Sequence, residues 1–532
     1  MASRPFLRLP PFPGRRAGPL AQARPGLPCD AAELADALAS ARVGGDFWAA
    51  QAPLPSGRDI LLAPDSQAQA RAMCAMVDPA RALLIGPYAA SHGIPVITRL
   101  CDPWPLATAA GTIHAGAGHE LALIAALLGM PLTVHGQGCF ADAAEEPLAT
   151  LERTVIAPWR YHDPFTGRAL AATALAPLLA QWRALIDANR HPSAILGVAH
   201  WKRTTMDALL WDGSGPVRHR RAAQVPAGAP VLAWQTRTPP ADLARLAAQR
   251  SHIGEIEDGM IRSAGLGANC VPPLSIIVDP LAPHFDPSRA STLETILEHG
   301  AIGPDLTARA AALRQRLVTA GISKYAQATS AAPPPPRTRR RVLVTGQVED
   351  DRAVLLGGAG RTNRDLLARA RAAEPDAELV YKTHPDVEAG HRKGHIPEAE
   401  VLAHADRVDR TSPIATLLGQ IDAIHVISSL AGFEALLRGV EVVTHGVPFY
   451  AGWGLTRDLG PVPARRTRRR TLDELVAAVL ILYPRYLDPV TRLPCPVEVL
   501  VERMAAGQAT VTSPLVTLRE WQGKFSRLTR AR

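Results

Sequence analysis

The chain has 532 residues, and at roughly 150 residues per domain this excludes a single small module and allows about three or four domains or fewer large ones. Hydrophobic residues make up 47% and charged residues 20%, so most of the length buries apolar cores and an extended disordered polymer is excluded. A formal net charge of +9 and a pI of about 9.5 suit an anionic partner, without choosing among nucleic acid, phosphate ester and lipid headgroup.

Along the chain, the first 28 residues carry Arg and Pro but no acidic residue and no continuous apolar core of a secretory signal. Residues 1–50 are expected to be a disordered or irregular tail. Apolar stretches at 121–134 and 475–482 fall short of the roughly 20 residues that cross a bilayer, so no membrane-spanning helix is expected. Cys29, Cys74, Cys101, Cys139, Cys270 and Cys495 lie far apart with no C-x-x-C pair, which argues against a disulfide framework or structural zinc and fits a reducing cytoplasm. Helical spacing at 304–320 ends at Gly321. The proline run at 331–336, followed by Arg337, Arg339, Arg340 and Arg341, reads as an interdomain linker over 331–341. From 342 to 444 short β-branched runs alternate with helical patterns, the signature of a parallel, doubly wound α/β sheet. The expected organisation is therefore a lobe at 51–188, a lobe at 190–330, a lobe at 342–505 and a tail at 506–532.

The first and last of these lobes are expected to be related. Gly118-His119-Glu120 through Gly129 to His135-Gly136 echoes Gly432-Phe433-Glu434 through Gly439 to His445-Gly446. In that alignment the first copy carries four extra residues, close to one helical turn. A second matched block follows, Arg160-Tyr161-His162-Asp163-Pro164 against Arg485-Tyr486-Leu487-Asp488-Pro489.

Three constellations could carry chemistry. Glu257-Asp258-Gly259, followed by Arg262-Ser263, places adjacent carboxylates on an expected Gly-flanked loop, where mutual repulsion raises one pKa and divides acid from nucleophile or base. Acidic pairs beside glycine are more often solvated turns. Lys382-Thr383-His384-Pro385-Asp386 follows the strand-like 378–381, so His384 points into the crevice where open α/β sheets bind ligands, unless it merely caps a turn. Ser428-Ser429, ahead of Gly432-Phe433-Glu434, sits between a strand and a helix, where serines cap the helix and present hydroxyls and N–H groups to an anion. Basic residues are nearly all arginine. The five lysines, Lys202, Lys324, Lys382, Lys393 and Lys524, therefore draw notice as compact point charges, although chance also explains them.

Together these motifs resemble those of bacterial sialyltransferase-like enzymes. Trp201-Lys202-Arg203, residues 257–267 with Pro273-Leu274-Ser275, Ser323-Lys324-Tyr325, residues 382–386, and residues 429–439 with the block 448–456 look like the capsular polysaccharide β-Kdo transferase family of KpsC type, over about residues 190–505. The resemblance implies a GT-B pair of Rossmann-like lobes, with 190–330 on the acceptor side and 342–505 binding the CMP-sugar. It also implies transfer of Kdo, an acidic eight-carbon sugar, from CMP-Kdo to a lipid-linked Kdo acceptor on phosphatidylglycerol at the cytoplasmic face of the inner membrane. Asp258 would be the nucleophile of a retaining reaction, or the base of an inverting one, with Glu257 assisting as acid or base. Lys202, Arg262, Lys324, Lys382, His384, Ser428, Ser429 and Glu434 would bind substrate. No cofactor or metal is implied: no D-x-D motif is evident, and Glu349-Asp350-Asp351 reads as a solvated loop. Expected partners are the lipid-linked saccharide, the anionic membrane surface and other capsule assembly or export proteins, with no nucleic acid.

The chain departs from that family's pattern of two complete modules. Its N-terminal lobe has His114-Ala115 at the position assigned to Ser428-Ser429, and Gly86-Pro87 near that of His384-Pro385. This degenerate lobe is expected to bind no CMP and to serve docking or structure. The basic run Arg465, Arg466, Arg468, Arg469 and Arg470 is either a solvated loop or a patch for anionic lipid or saccharide. A catalytically silent capsule assembly scaffold and a transferase for another CMP-activated acidic sugar are the alternatives to a Kdo transferase.

Overall fold

The computed structural model describes residues 4–89, 93–263, 271–323, 338–390 and 392–509. Lys324, residues 264–270, the proline run at 331–336 and everything beyond 509 lie outside the described residues. The chain divides into two compact units: the first holds Met1–Pro192, Met206–Arg218 and Val490–Pro494, and the second holds Ser193–Thr205, His219–Pro489 and the residues from Cys495 on. It is an α/β protein with several parallel sheets.

In the first unit the strands run in the order Val96–Ile97, Ala82–Ile85, Ile60–Ala63, Thr112–Gly116, Leu132–His135, all parallel. Numbered along the chain this is 3-2-1-4-5, the doubly wound arrangement with a topological switch beside its first strand. The segment expected to be a disordered tail is instead built into this unit. Asp30 caps the helix Ala31–Ala41, and Phe6, Leu7, Phe12 and Leu20 are buried in its core. An apolar residue every few positions was enough to anchor a proline-rich strap that lacks regular structure. Residues 206–218, expected in the middle lobe, also belong here: Asn189 Nδ2 donates to Leu209 O at 3.1 Å and Trp211 O at 3.0 Å, and Trp211 packs edge-on against Phe12.

The second unit contains two sheets. In one, Val231–Ala233 lies parallel to Ala194–Leu196 and Ile253–Asp258, and Ser275–Asp279 runs antiparallel beyond Ile253–Asp258. Pro484–Leu487 then adds antiparallel to Ser275–Asp279, so residues expected within the 342–505 lobe do not all belong to its sheet: the chain leaves its own lobe before 484 and completes the sheet of the preceding one. The helix Val497–Ala505 follows it back, tied by Arg309–Glu498 and Arg316–Glu502 ion pairs to the helix Pro304–Thr319. The other sheet is wholly parallel in the order Arg407–Asp409, Glu378–Lys382, Arg341–Thr345, Ala423–Val426, Glu441–Thr444, Arg457–Asp458, or 3-2-1-4-5-6. Its strands are apolar runs because helices cover both faces.

The internal repeat is visible in matching geometry. His114 Nδ1 meets His135 Nε2 at 3.0 Å, and His425 Nδ1 meets His445 Nε2 at 3.1 Å. Burial first, and then the neighbouring basic groups, holds His425 at about 3 and His445 at about 4, so this second pair is uncharged. Tyr161 and Tyr486 each donate to the carbonyl six residues upstream, Val155 O at 2.8 Å and Leu480 O at 2.7 Å, at the end of a π-helical turn. The alignment itself needs correction. The helices Glu120–Leu127 and Leu430–Leu437 both have 8 residues, with His119 and Ser429 as their caps, so no turn is inserted. Gly118-His119, not His114-Ala115, stand where Ser428-Ser429 stand. Strand register likewise sets Leu84 against Leu62 as it sets Tyr381 against Val344, which puts Gly86 at Thr383 and Pro87 at His384.

Among the described residues no helix is long and apolar enough to cross a membrane.

Candidate functional site

Glu257 and Asp258 end the strand Ile253–Asp258; they do not ride on a loop. Strand side chains alternate, so the adjacent carboxylates turn to opposite faces and cannot address one atom together. Gly259 follows because the chain passes Ser275 closely: a Cβ there would stand 2.0 Å from Ser275 Oγ.

On one face Asp258 is held between two cations. Lys202 Nζ donates to Oδ1 at 3.1 Å and Arg262 Nε to Oδ2 at 2.8 Å. Arg262 is fully buried and further fixed by Ser263 Oγ at 2.9 Å and Val271 O at 2.8 Å. Lys202, on the short helical turn His200–Lys202, lies 3.3 Å above the centre of the Trp234 ring. Burial pushes its ammonium down to about 8, against the pull of Asp258. The carboxylate keeps a quarter of its side-chain surface open, 24%, while its partners are enclosed. An oriented acid facing outward from a cationic floor is suited to meet an electrophilic carbon.

On the other face Glu257 joins Glu255, two residues back. Arg352 reaches both, with NH1 at 3.0 Å from Glu255 and 3.4 Å from Glu257, and stacks on Phe285. Burial, and then the Glu255 carboxylate, pushes Glu257 well above the usual carboxylate range, and burial raises Glu255 as well. One arginine neutralises one negative charge here, so the second acid keeps its proton.

Arg352 begins the helix Arg352–Gly357 in the all-parallel lobe, capped by Asp351. Its neighbour Ala353 offers the carbonyl to which Ser428 Oγ donates at 3.0 Å. Ser428 N and Ile427 N both donate to Gln347 Oε1 at 3.0 Å, and Ser429 Oγ caps Leu430–Leu437 through Ala431 N at 3.2 Å. Both serine hydroxyls are thus engaged in the fold, and what remains open to an anion is the helix N-terminus itself. His384 caps the four-residue helix Pro385–Glu388, its Nδ1 accepting from Asp386 N at 3.2 Å. Burial lowers its pKa, and Asp351 is among the charges that act on it. The three motifs therefore converge on residues 351–353: Glu257 through Arg352, Ser428 through Ala353, His384 within electrostatic reach of Asp351.

The remaining expected residues have other settings. Lys382 is buried at the end of its strand and pairs with Asp409 at 3.4 Å. Glu434 is buried within Leu430–Leu437, and Lys324 is outside the described residues. Gly432 serves Tyr450, since a Cβ there would sit 2.2 Å from the phenol oxygen that donates to Ser429 O at 2.5 Å. The motif block at 448–456 is likewise a pinned turn: Asp458 accepts from Thr456 Oγ1 at 2.6 Å and Gly452 N at 2.9 Å. The acidic run at 349–351 is not a free solvated loop, for Glu349 accepts from Asn363 N at 2.7 Å and Asp350 pairs with Arg392 at 3.1 Å. The basic run is partly tied into the fold, with Arg465, Arg468 and Arg469 still exposed. Arg465 and Arg466 both bind Glu294, Arg468 donates to Glu298 O, and Arg470 donates to Leu297 O and Gly300 O. Sequence reasoning missed Glu255, whose signal was the alternation Glu255-Ile256-Glu257, and missed Arg352 and Gln347, which flank the acidic run and carry no motif of their own.

A mixed sheet and a wholly parallel one, with charged groups gathered at residues 351–353, define an α/β protein. Residues 304–486 match the family model described as capsule polysaccharide biosynthesis protein. Over 341 residues it is 39% identical to capsule polysaccharide modification protein LipA of Neisseria meningitidis serogroup A / serotype 4A, covering 62% of this chain and 48% of that protein. Over 239 residues it is 45% identical to lipopolysaccharide-processing protein LpsZ of Rhizobium meliloti, covering 44% of this chain and 54% of that one. The chain spans about half the length of the curated relatives it matches. Among solved structures, the beta Kdo 2,4 transferase KpsC of Thermosulfurimonas dismutans is 32% identical, covering 59% of this chain and 98% of that chain, at a TM-score of 0.49.

Proposed function

We propose that the chain is a glycosyltransferase of capsule polysaccharide biosynthesis that moves Kdo from CMP-Kdo to a Kdo-terminated, lipid-linked acceptor on phosphatidylglycerol. In this reading the second unit is a GT-B pair, with the lobe bearing Asp258 on the acceptor side and the lobe bearing His384 and Ser429 holding CMP. The observation that carries it is the meeting of the acidic and serine motifs on the consecutive residues Arg352 and Ala353. The match of residues 304–486 to a capsule polysaccharide biosynthesis family model supports the same reading, and the resemblance of the motif set to β-Kdo transferases favours Kdo as the sugar.

Asp258 attacks the anomeric carbon, the bond to the CMP phosphate breaks, and the leaving phosphate is met by the N-terminus of Leu430–Leu437, with His384 and Lys382 at the adjoining strand end. The acceptor hydroxyl then displaces Asp258 from the same carbon, its proton passing to solvent, giving net retention. Lys202 and Arg262 hold Asp258 in place, and the protonated Glu257 with Glu255 and Arg352 fixes the strand that presents it.

Purified protein incubated with CMP-Kdo and a synthetic Kdo-terminated acceptor tests this. Product that disappears in Asp258→Ala supports transfer. No turnover with any acceptor supports an assembly scaffold, and preference for CMP-sialic acid in donor competition supports a different acidic sugar.

A further inference from the structure

The first unit has a cavity of about 630 Å³ at the carboxyl ends of its parallel strands, lined among others by Gly86, Pro87, Gly118, His119 and Glu120. This is the switch-point crevice where a doubly wound lobe binds its ligand. Phosphate is disfavoured there. Asp65 Oδ2 takes Gly118 N at 2.7 Å, in the place where the neutral Gln347 takes Ser428 N in the related lobe, and Glu120 occupies the first turn of Glu120–Leu127. Two carboxylates thus face the end of the helix dipole that an anion would need. The N-terminal strap fills part of the vacated space: Arg8 binds Glu120 at 2.5 and 2.8 Å and Asp46 at 3.0 Å, and Arg4 also binds Asp46.

The cavity nevertheless keeps an unused cation. Arg99 lines it, is exposed, and makes no hydrogen bond or ion pair among the described residues. Beside it Leu100 is 62% exposed, an apolar surface at the cavity wall. A guanidinium fork takes a carboxylate in bidentate fashion, and carboxylates such as Asp46 and Glu120 have lone pairs that accept hydroxyl protons. We propose that this cavity is a subsite for a saccharide bearing a carboxylate, with Arg99 on the acid group and Asp46 and Glu120 on hydroxyls, and that it takes no nucleotide. The proposal rests on the reading that the chain handles an acidic saccharide.

Cys139 lines the same cavity and is exposed, so its alkylation reports occupancy. The whole chain, as Asp258→Ala to prevent turnover, is treated with iodoacetamide and the Cys139 peptide is quantified by mass spectrometry. A Kdo-disaccharide glycoside is expected to slow labelling at least fivefold, CMP to leave it unchanged, and Arg99→Ala or Arg99→Glu to abolish protection. No protection at millimolar disaccharide, equal protection by a neutral disaccharide, or protection by CMP overturns the proposal. Protection without any transferase activity in the native chain removes the proposed function and leaves the subsite; transfer without protection does the reverse.

Discussion

Lys202 Nζ lies 3.1 Å from Asp258 Oδ1, and the same ammonium stands over the face of Trp234. An enclosed cation therefore depends on one carboxylate for most of its charge compensation, and that carboxylate is the group with an open side. Removing it should cost both chemistry and fold. Asp258→Ala should lower transfer at least about a thousandfold, as loss of a nucleophile does. Stranding Lys202 and Arg262 should also destabilise the chain by about 3 kcal/mol. Asp258→Asn, which keeps the shape and accepts hydrogen bonds, should recover part of the stability and none of the activity; equal activity in Asn and wild-type proteins would remove Asp258 from the reaction.

Glu257 should make stability fall with pH. Its folded-state pKa is raised above the ordinary 4.5, so folding takes up a proton there. The stabilisation is whole below the ordinary value and is lost as pH climbs through the raised one. Glu257→Gln, which cannot ionise, should flatten this slope, and urea titrations at several pH values would show it. A wild-type curve no steeper than that of Glu257→Gln would contradict the assignment.

The alkaline limb of activity should belong to Lys202. Burial holds its pKa at about 8, so its charge on Asp258 fades above that pH. Because this pKa is lowered on folding, the unfolded chain binds the extra proton between about 8 and 10.5, and stability from this group rises over the same interval. Transfer should decline while stability improves. Lys202→Arg, which stays charged, should extend activity to higher pH if the fork fits; a limb unmoved in the variant would assign it elsewhere.

Arg352 is the group that offsets the Glu255 and Glu257 charges. Arg352→Ala should leave a buried acid unpaired and lower stability by roughly 3 kcal/mol, whereas Arg352→Lys should lose less. Adding Glu255→Gln to Arg352→Ala should restore much of the loss, which a double-mutant cycle measures. Additive losses would mean that the contact carries no coupling.

Gly432→Ala should displace Tyr450. A methyl group 2.2 Å from the phenol oxygen forces a shift that costs about 1–3 kcal/mol and breaks the bond to Ser429 O. Tyr450→Phe, which removes only the hydroxyl, should cost about 1 kcal/mol. Combining Gly432→Ala with Tyr450→Phe should be milder than Gly432→Ala alone, and thermal melts would show the order.

The repeat was readable from residue identities, but its register was not. Gly118-His119-Glu120 and Gly432-Phe433-Glu434 are alike in letters, yet they sit one helical turn apart, because a Gly-x-Glu pattern fits either turn of an amphipathic helix equally well. Only the paired histidines and the shared cap positions settle which residue stands where. The same holds for the serines. Their place between strand and helix was visible, while the partners that absorb the Ser428 hydroxyl, Gln347 and Ala353, come from about 80 residues earlier.

From the amino-acid order alone came the alternating strand and helix pattern, the relatedness of the outer lobes and the short motifs, since these are local and repeat at fixed spacing. Tertiary structure decided which groups share a face and who neutralises whom. Glu257 and Asp258 are neighbours in the chain but strangers across the sheet, and Arg352 meets Glu255 across 97 positions. Burial and pairing set charge, and both depend on contacts between segments that no local pattern records.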